Sequence, residues 1–360
     1  MARTRKPISR RQTLRWFVTA GAGAVLAACG EAPGNAPFLA TASPVESVGP
    51  EDSGEPAVSE GPERTAEEPV PTAALPALET DGEQPANQPA AGNAYLAAAR
   101  GEDPAAITEA AIKALGGIER FVKSGYDVII KPNICTDNYS FEYAATTNPQ
   151  VVAALVRLAL GAGAKRVRVM DFPFGGTAAS AYARSGIEEA VKAAGGVMEI
   201  MNPNKFKKTP IPNGRSISEW EIYQDVLNCD LLINVPIAKH HSLARLTLGG
   251  KNLLGVIQRR SMIHSDMGQR IADLVSVIQP GLTVVDGVRI LMAHGPTGGS
   301  LDDVKINNTV IASRDIVAAD AYATRFFDLT AEDIPYIVKS AEMGLGTMDL
   351  STVKVDEISI

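Results

Sequence analysis

From about residue 93 to the end of the chain, short apolar runs alternate with segments whose apolar positions recur at helical spacing. Asp103-Pro104 opens a helix with Ile107, Ala111, Leu115 and Ile118 on one face, predicted to continue to Lys123 before Ser124-Gly125 ends it. Asp127–Lys131 is a short apolar run of buried-strand type. After a loop, Thr147-Asn148-Pro149 caps a helix that stops at Gly161-Ala162-Gly163. The same reading gives a strand at Val167–Asp171, a helix from about Ser180 to Ala194 and an extended piece at Val197–Met201. It continues with a helix or loop around Ile217–Leu227, a strand at Leu231–Asn234, a helix at Ile271–Ile278 and a strand at Leu282–Asp286. Val304–Ala312 is predicted as a strand, Ile316–Phe327 and Ile334–Met343 as helices, and Val353–Ile358 as a closing strand. Strands alternating with helices predict an α/β fold: a layered, largely parallel or mixed sheet with helices on both faces.

Composition divides the 360 residues into three unlike parts. Residues 1–29 hold Arg3, Arg5, Lys6, Arg10, Arg11 and Arg15 and no acid, a charge of +6. Residues 30–92 hold twelve acids against Arg64 alone, a charge of -11, which leaves residues 93–360 at only -2 of the net -7. A nearly neutral domain lacks the basic field that nucleic-acid binding needs, so nucleic acid is not expected as a partner.

The basic segment reads as an export signal. Ser9-Arg10-Arg11-Gln12-Thr13-Leu14-Arg15 is similar to a twin-arginine motif and implies the twin-arginine export machinery as a partner. The apolar stretch from Trp16 to Ala28 is too short for a membrane span of about 20 residues. Leu26-Ala27-Ala28-Cys29 resembles a lipobox, which makes Cys29 the lipidated first residue of the mature chain and predicts an extracytoplasmic, membrane-anchored protein. Residues 30–92, rich in Pro, Ala, Glu, Gly and Ser, hold too few large apolar groups to offset the entropy of ordering, and are expected to form a disordered tether. Cys135 and Cys229 lack CxxC spacing and are expected to be buried free thiols.

Four predicted strands end in a polar residue followed by a Pro- or Gly-rich loop: Lys131, Asp171, Asn234 and Asp286. In open parallel sheets ligands bind outside the carboxyl ends of the strands, so this edge is the expected site. The four histidines, His240, His241, His264 and His294, all fall between positions 240 and 294, in predicted loops. Such a cluster with nearby carboxylates suits an acid–base centre or a divalent metal, with His241, His264, His294 and Asp286 as the candidate ligands. Lysines supply anion-binding charge: Lys131, Lys239 and Lys251, the last after Gly249-Gly250, where backbone N–H groups can approach an anion closely. Neither nucleotide-binding glycine fingerprint is satisfied, and no Gly-x-Ser-x-Gly elbow is present. Gly295-Pro296-Thr297-Gly298-Gly299 is either a turn or a backbone cradle over the same site.

Eight ordered motifs carry a family resemblance. They are Lys131-Pro132-Asn133, Thr146-Thr147-Asn148-Pro149, Asn234-Val235-Pro236 with Lys239-His240, Gly250-Lys251-Asn252-Leu253-Leu254-Gly255, His264, Asp286-Gly287, Gly295-Pro296-Thr297-Gly298, and Asp315 to Ala321. In order and spacing, over about residues 125–358, they resemble the DUF362 family, whose activity is unknown. Some members carry a ferredoxin-type iron–sulfur module, but the CxxC runs this needs are absent here. Family members often read Pro-x-x-Lys-x-His where this chain has Pro236-Ile237-Ala238-Lys239-His240-His241; the spacing favours His241 over His240. Two functions follow from these readings. In one, an enzyme acts on a small anionic substrate held by Lys131, Asn133, Lys239, Lys251 and Asn252, with His241, His264 and Asp286 as the catalytic groups. In the other, an extracytoplasmic binding or scaffold lipoprotein uses the same cleft without chemistry.

Overall fold

The computed structural model describes residues 94–360. The export signal, Cys29 and the acidic segment at 30–92 lie outside the described residues. Among those described, no helix is long and apolar enough to cross a membrane.

In chain order the first half is β1 (Leu96–Arg100), α1 (Pro104–Ala114), β2 (Asp127–Pro132), α2 (Pro149–Gly161), β3 (Arg166–Val169), α3 (Ala178–Ser185), α4 (Ile187–Ala193) and β4 (Val197–Met198). A small hairpin follows, β5 (Phe206–Pro210) with β6 (Glu219–Tyr223), and then α5 (Gln224–Asn228), β7 (Leu231–Val235), β8 (Ile237–His241), β9 (Arg245–Thr247) and α6 (Gly249–Asn252). The remainder is α7 (Met267–Ile278), β10 (Leu282–Leu291), β11 (Val304–Ser313), α8 (Ile316–Ala323), α9 (Pro335–Glu342) and β12 (Val355–Ser359).

The main sheet is mixed, in the order β12-β1-β11-β10-β7-β2-β3-β4. β10, β7, β2, β3 and β4 run parallel, while β11 is antiparallel to both β1 and β10. β2 and β7 alternate between two cores, because successive strand side chains point to opposite faces. Val128 and Ile130 pack with Val151, Leu155 and Val156 of α2, and Ile129 and Leu232 pack with Ile271, Leu274 and Ile278 of α7. Helices therefore cover both faces, as the run of alternating elements predicts.

Several boundaries differ from the sequence reading. The first helix ends at Ala114 instead of Lys123, because Gly116 and Gly117 both take positive φ. Gly186, at φ +74°, divides the predicted helix 180–194 into α3 and α4. The segment around Ile217–Leu227 is strand β6 followed by α5, not a helix or loop throughout. β1 was not anticipated: its Leu-Ala-Ala-Ala core suits a helix by propensity, but these four residues are buried between β11 and β12.

This topology positions a site. From β2 the chain moves to β3 and β4 on one side, by way of α2, and later returns to place β7 and then β10 on the other side. The order thus reverses at the β2/β7 pair, where the loops leaving the two strands turn apart and open a crevice beyond their carboxyl ends.

Candidate anion-binding site

That crevice is a cavity of about 370 Å³. β2 and the residues after it supply Lys131, Asn133, Ile134 and Cys135; Asp171 and Phe172 follow β3; Lys239 and His241 lie on β8; and Lys251 and Asn252 belong to α6. The register sets Lys131 opposite Asn234.

The floor is a connected polar network. Lys131 is fully buried, and its Nζ donates to the Pro132 carbonyl at 2.8 Å, to Asn252 Oδ1 at 3.0 Å and to Asp171 Oδ1 at 2.8 Å. Three N–H groups thus meet three acceptors. Asn252 Oδ1 also accepts from Asn133 Nδ2 at 2.9 Å, while Asn252 Nδ2 donates to Asn234 Oδ1 at 2.8 Å. Lys239, equally buried, shares its three N–H groups among four acceptors within hydrogen-bond distance: Asn133 Oδ1 at 3.0 Å, the Ala145 carbonyl at 2.6 Å, the Pro296 carbonyl at 2.8 Å and Cys135 Sγ at 2.9 Å. The donors of both buried lysines are thus already engaged by the protein, and the charge of Lys131 is balanced by Asp171. Burial pulls the Lys131 ammonium below its ordinary pKa, and Asp171 opposes that shift.

Gly255 makes the Lys131–Asp171 contact possible: a Cβ there would stand 1.9 Å from Asp171 Oδ1 and 2.4 Å from Lys131 Nζ. The Gly249-Gly250 pair has a different use from the one its sequence suggested. Its N–H groups donate at 2.6 and 2.8 Å to the carboxylate of Asp320 on α8, so the anion they hold is the protein's own. That carboxylate pins α6, and with it Lys251 and Asn252, against the cavity. Burial raises the Asp320 pKa to about 7.

The histidines separate according to strand geometry. His240 and His241 lie on β8 instead of in a loop, and alternation sends them to opposite sides. His241 lines the cavity, whereas His240 Nδ1 accepts the Gly295 N–H at 3.1 Å. His241 Nδ1 accepts the backbone N–H groups of Leu243 and Ala244 at 3.1 and 3.2 Å, which assigns the ring proton to Nε2. Burial, followed by the charges of Lys251 and Lys239, pushes the His241 pKa down to about 2, so the ring is a neutral hydrogen-bond donor near pH 7. His264 is at the cavity rim, and burial and Lys251 likewise lower its pKa.

Seven of the eight site residues expected from sequence thus border one cavity; Asp286 does not. β10 continues to Leu291, which leaves Asp286 inside the strand. Its carboxylate accepts the N–H of Asn148 at 2.7 Å and of Val288 at 3.0 Å, fixing the entry to α2. Burial raises its pKa to about 6. His294 is also elsewhere, exposed and paired with Asp303 at 2.8 Å. The four candidate metal ligands therefore do not gather, and among the described residues no three His, Cys, Asp or Glu side chains converge on a point. The Gly295–Gly299 segment reaches the cavity through Pro296, whose carbonyl holds Lys239. Cys135 and Cys229 are free thiols, the first buried and the second partly so.

Sequence reasoning did not assign Arg259, Arg260 and Cys135 to the site. The arginines, shortly after the Gly250–Gly255 motif, bring the cations at the cavity to five, against the single carboxylate of Asp171. Arg259 pairs with Glu221 at 2.9 Å, and Arg260 lies 4.8 Å from the centre of the Phe172 ring and donates to the Phe172 carbonyl. The adjacent basic pair was the available clue, and only the fold shows which way it faces.

A mixed α/β sheet with a cationic crevice at its switch point defines the class of protein. Residues 128–325, more than half of the chain, match the family described as a domain of unknown function, DUF362, and the chain belongs to that family. It is 26% identical over 249 residues to a thylakoid-associated protein of Synechocystis sp., covering 65% of this chain and 73% of that one. Among solved structures it is similar to the lactate racemase apoprotein of Thermoanaerobacterium thermosaccharolyticum, with 12% identity, a TM-score of 0.43 and coverage of 68% of this chain and 58% of that one. A Thermotoga maritima protein gives 12% identity, a TM-score of 0.41 and coverage of 64% and 60%. The chain thus spans less than two thirds of either structure, and at these scores neither likeness bears on chemistry.

Proposed function

We propose that this DUF362 protein is an extracytoplasmic enzyme that binds a small anionic molecule in the cavity at the β2/β7 switch point. One observation carries the reading: five cationic side chains and one carboxylate border a cavity of about 370 Å³, a size suited to a small organic ligand. In this reading Lys131 and Lys239 set the potential, while Lys251 and Asn252 meet the ligand. His241 donates through Nε2–H to an oxygen on which charge develops, and His264 exchanges protons at the rim. Titration calorimetry with inorganic phosphate and a panel of small carboxylates tests it. Saturable binding that weakens with salt and falls in Lys251→Ala is expected; no binding by any of these anions would overturn the reading.

The location is part of the proposal. In this reading the lipobox at Cys29 anchors the chain, and the acidic segment at 30–92 links the domain to the membrane. A non-catalytic binding protein is the second reading, and the network is equally compatible with it. Lys131 and Lys239 are held by acceptors of the protein itself, an arrangement that suits a rigid receptor as well as a catalyst. Turnover of any ligand found by calorimetry separates the two.

A further inference from the structure

We propose that Cys135 is a nucleophile of the cavity, and that the molecules it captures are small carboxylates or phosphates carrying an electrophilic carbon. The inference rests on the anion-binding reading above and adds a reacting atom to it. Cys135 lies in the loop three residues after β2, among the cavity walls, 7% exposed. Its Sγ is placed by two groups: the thiol donates to Asn133 Oδ1 at 3.0 Å, and the Lys239 ammonium donates to the sulfur at 2.9 Å.

The other hydrogen-bond acceptors of Lys239 are Asn133 Oδ1 and the carbonyls of Ala145 and Pro296, so none is a carboxylate. A fully buried ammonium with no carboxylate among these partners is positioned to balance the charge that a thiolate carries as it attacks carbon. The second requirement for capture is a means of gathering the electrophile. A cationic cleft concentrates anions, and Lys251 on the same cavity provides a charge for the anionic end while the carbon faces Sγ.

Cys229 is a reference thiol within the same molecule. It follows α5, away from this cavity, and burial with the nearby Asp127 pushes its pKa up to about 11. The two thiols should therefore differ in rate and in charge preference.

Matched alkylating probes test the proposal. Iodoacetate is an anion and iodoacetamide its neutral analogue; with either, the S–C bond forms as the C–I bond breaks, iodide leaves with the bonding pair, and the thiol proton passes to solvent. Full-length protein is treated with each reagent, and peptide mass spectrometry follows Cys135 and Cys229 separately. The expected result is that Cys135 reacts with iodoacetate about tenfold faster than with iodoacetamide, with no such preference at Cys229. Lys251→Ala should remove the preference by slowing the iodoacetate reaction at Cys135. Raised salt or added phosphate should reduce the preference in the unaltered protein, so the result does not depend on the variant folding. If Cys135 reacts no faster than Cys229 with both reagents, the nucleophile is refuted even where calorimetry finds anion binding. If Cys135 reacts quickly but equally with both, the anionic class of electrophile is refuted, and the anion-binding reading is weakened with it.

Discussion

The Lys131 ammonium lies 2.8 Å from Asp171 Oδ1, with the two side chains 0% and 5% exposed, and the contact passes through space that only a glycine at 255 leaves open. The pair joins the carboxyl ends of β2 and β3, so it ties the cavity floor to the sheet. Asp171 Oδ2 also accepts the Ile134 N–H at 2.6 Å, which fixes the loop leading to Cys135. Removing one partner of such a pair leaves the other charge buried without compensation. Asp171→Asn should therefore cost about 3–5 kcal/mol of unfolding free energy, read from urea denaturation. Gly255→Ala, which adds a methyl group where the pair meets, should be destabilising by a similar route, and a variant of native stability would show that the contact is dispensable.

Asp320 gives a pH-dependent prediction. Its folded-state pKa of about 7 lies above the ordinary value of 3.8, so between these limits the folded protein holds a proton that the unfolded chain has lost. Its contribution to stability is therefore fully present below about pH 4 and is lost as pH rises through 7. Asp286, raised to about 6, acts in the same direction over a narrower window. The stability of the parent minus that of Asp320→Asn should fall between pH 4 and pH 7 in matched urea titrations. A difference that stays level over this window would mean Asp320 titrates normally.

The fold was legible from the sequence where one physical signal dominated. Asp127–Lys131 and Leu231–Asn234 are apolar runs too short for helices, and both are central parallel strands. β1 was not legible, because Leu-Ala-Ala-Ala has helical propensity and becomes a strand only through partners more than 200 residues away. The site divides in the same manner. Residues directly after parallel strands were found, since chain direction fixes where those ends lie. Asp286 misled because its strand continues five residues further, as a ribbon paired with β11. Gly249-Gly250 misled because no local pattern reveals that a carboxylate 70 residues later occupies its N–H groups.

His241 should remain neutral, with its proton on Nε2, across the physiological range. Two backbone N–H groups fill Nδ1, and burial with the neighbouring lysines holds the pKa near 2. Nitrogen-15 NMR of histidine-labelled protein should show one unchanging tautomer for this ring from pH 5 to 8. Because His264 is also held below its ordinary value, phosphate affinity corrected for the ligand's own ionisation should change little from pH 6 to 8. A tenfold loss over that range would mean a charged histidine contributes to binding. His294→Ala should leave affinity unchanged, since that ring is exposed and paired with Asp303 outside the cavity.

The acidic segment and Cys29 give the last prediction, which follows from composition. Residues 30–92 contain twelve acids and few large apolar side chains, so they add little apolar surface to any core. A chain beginning near Ala91 should unfold at the same urea concentration as the mature protein and bind phosphate equally well. Cys29→Ala, expressed with the complete signal, should appear in the soluble extracytoplasmic fraction while the parent sediments with membranes. The two measurements separate tethering from folding. A lower unfolding midpoint in the shortened chain would show that the segment packs on the domain, and a Cys29→Ala protein that stays as firmly with membranes as the parent would place the anchor elsewhere.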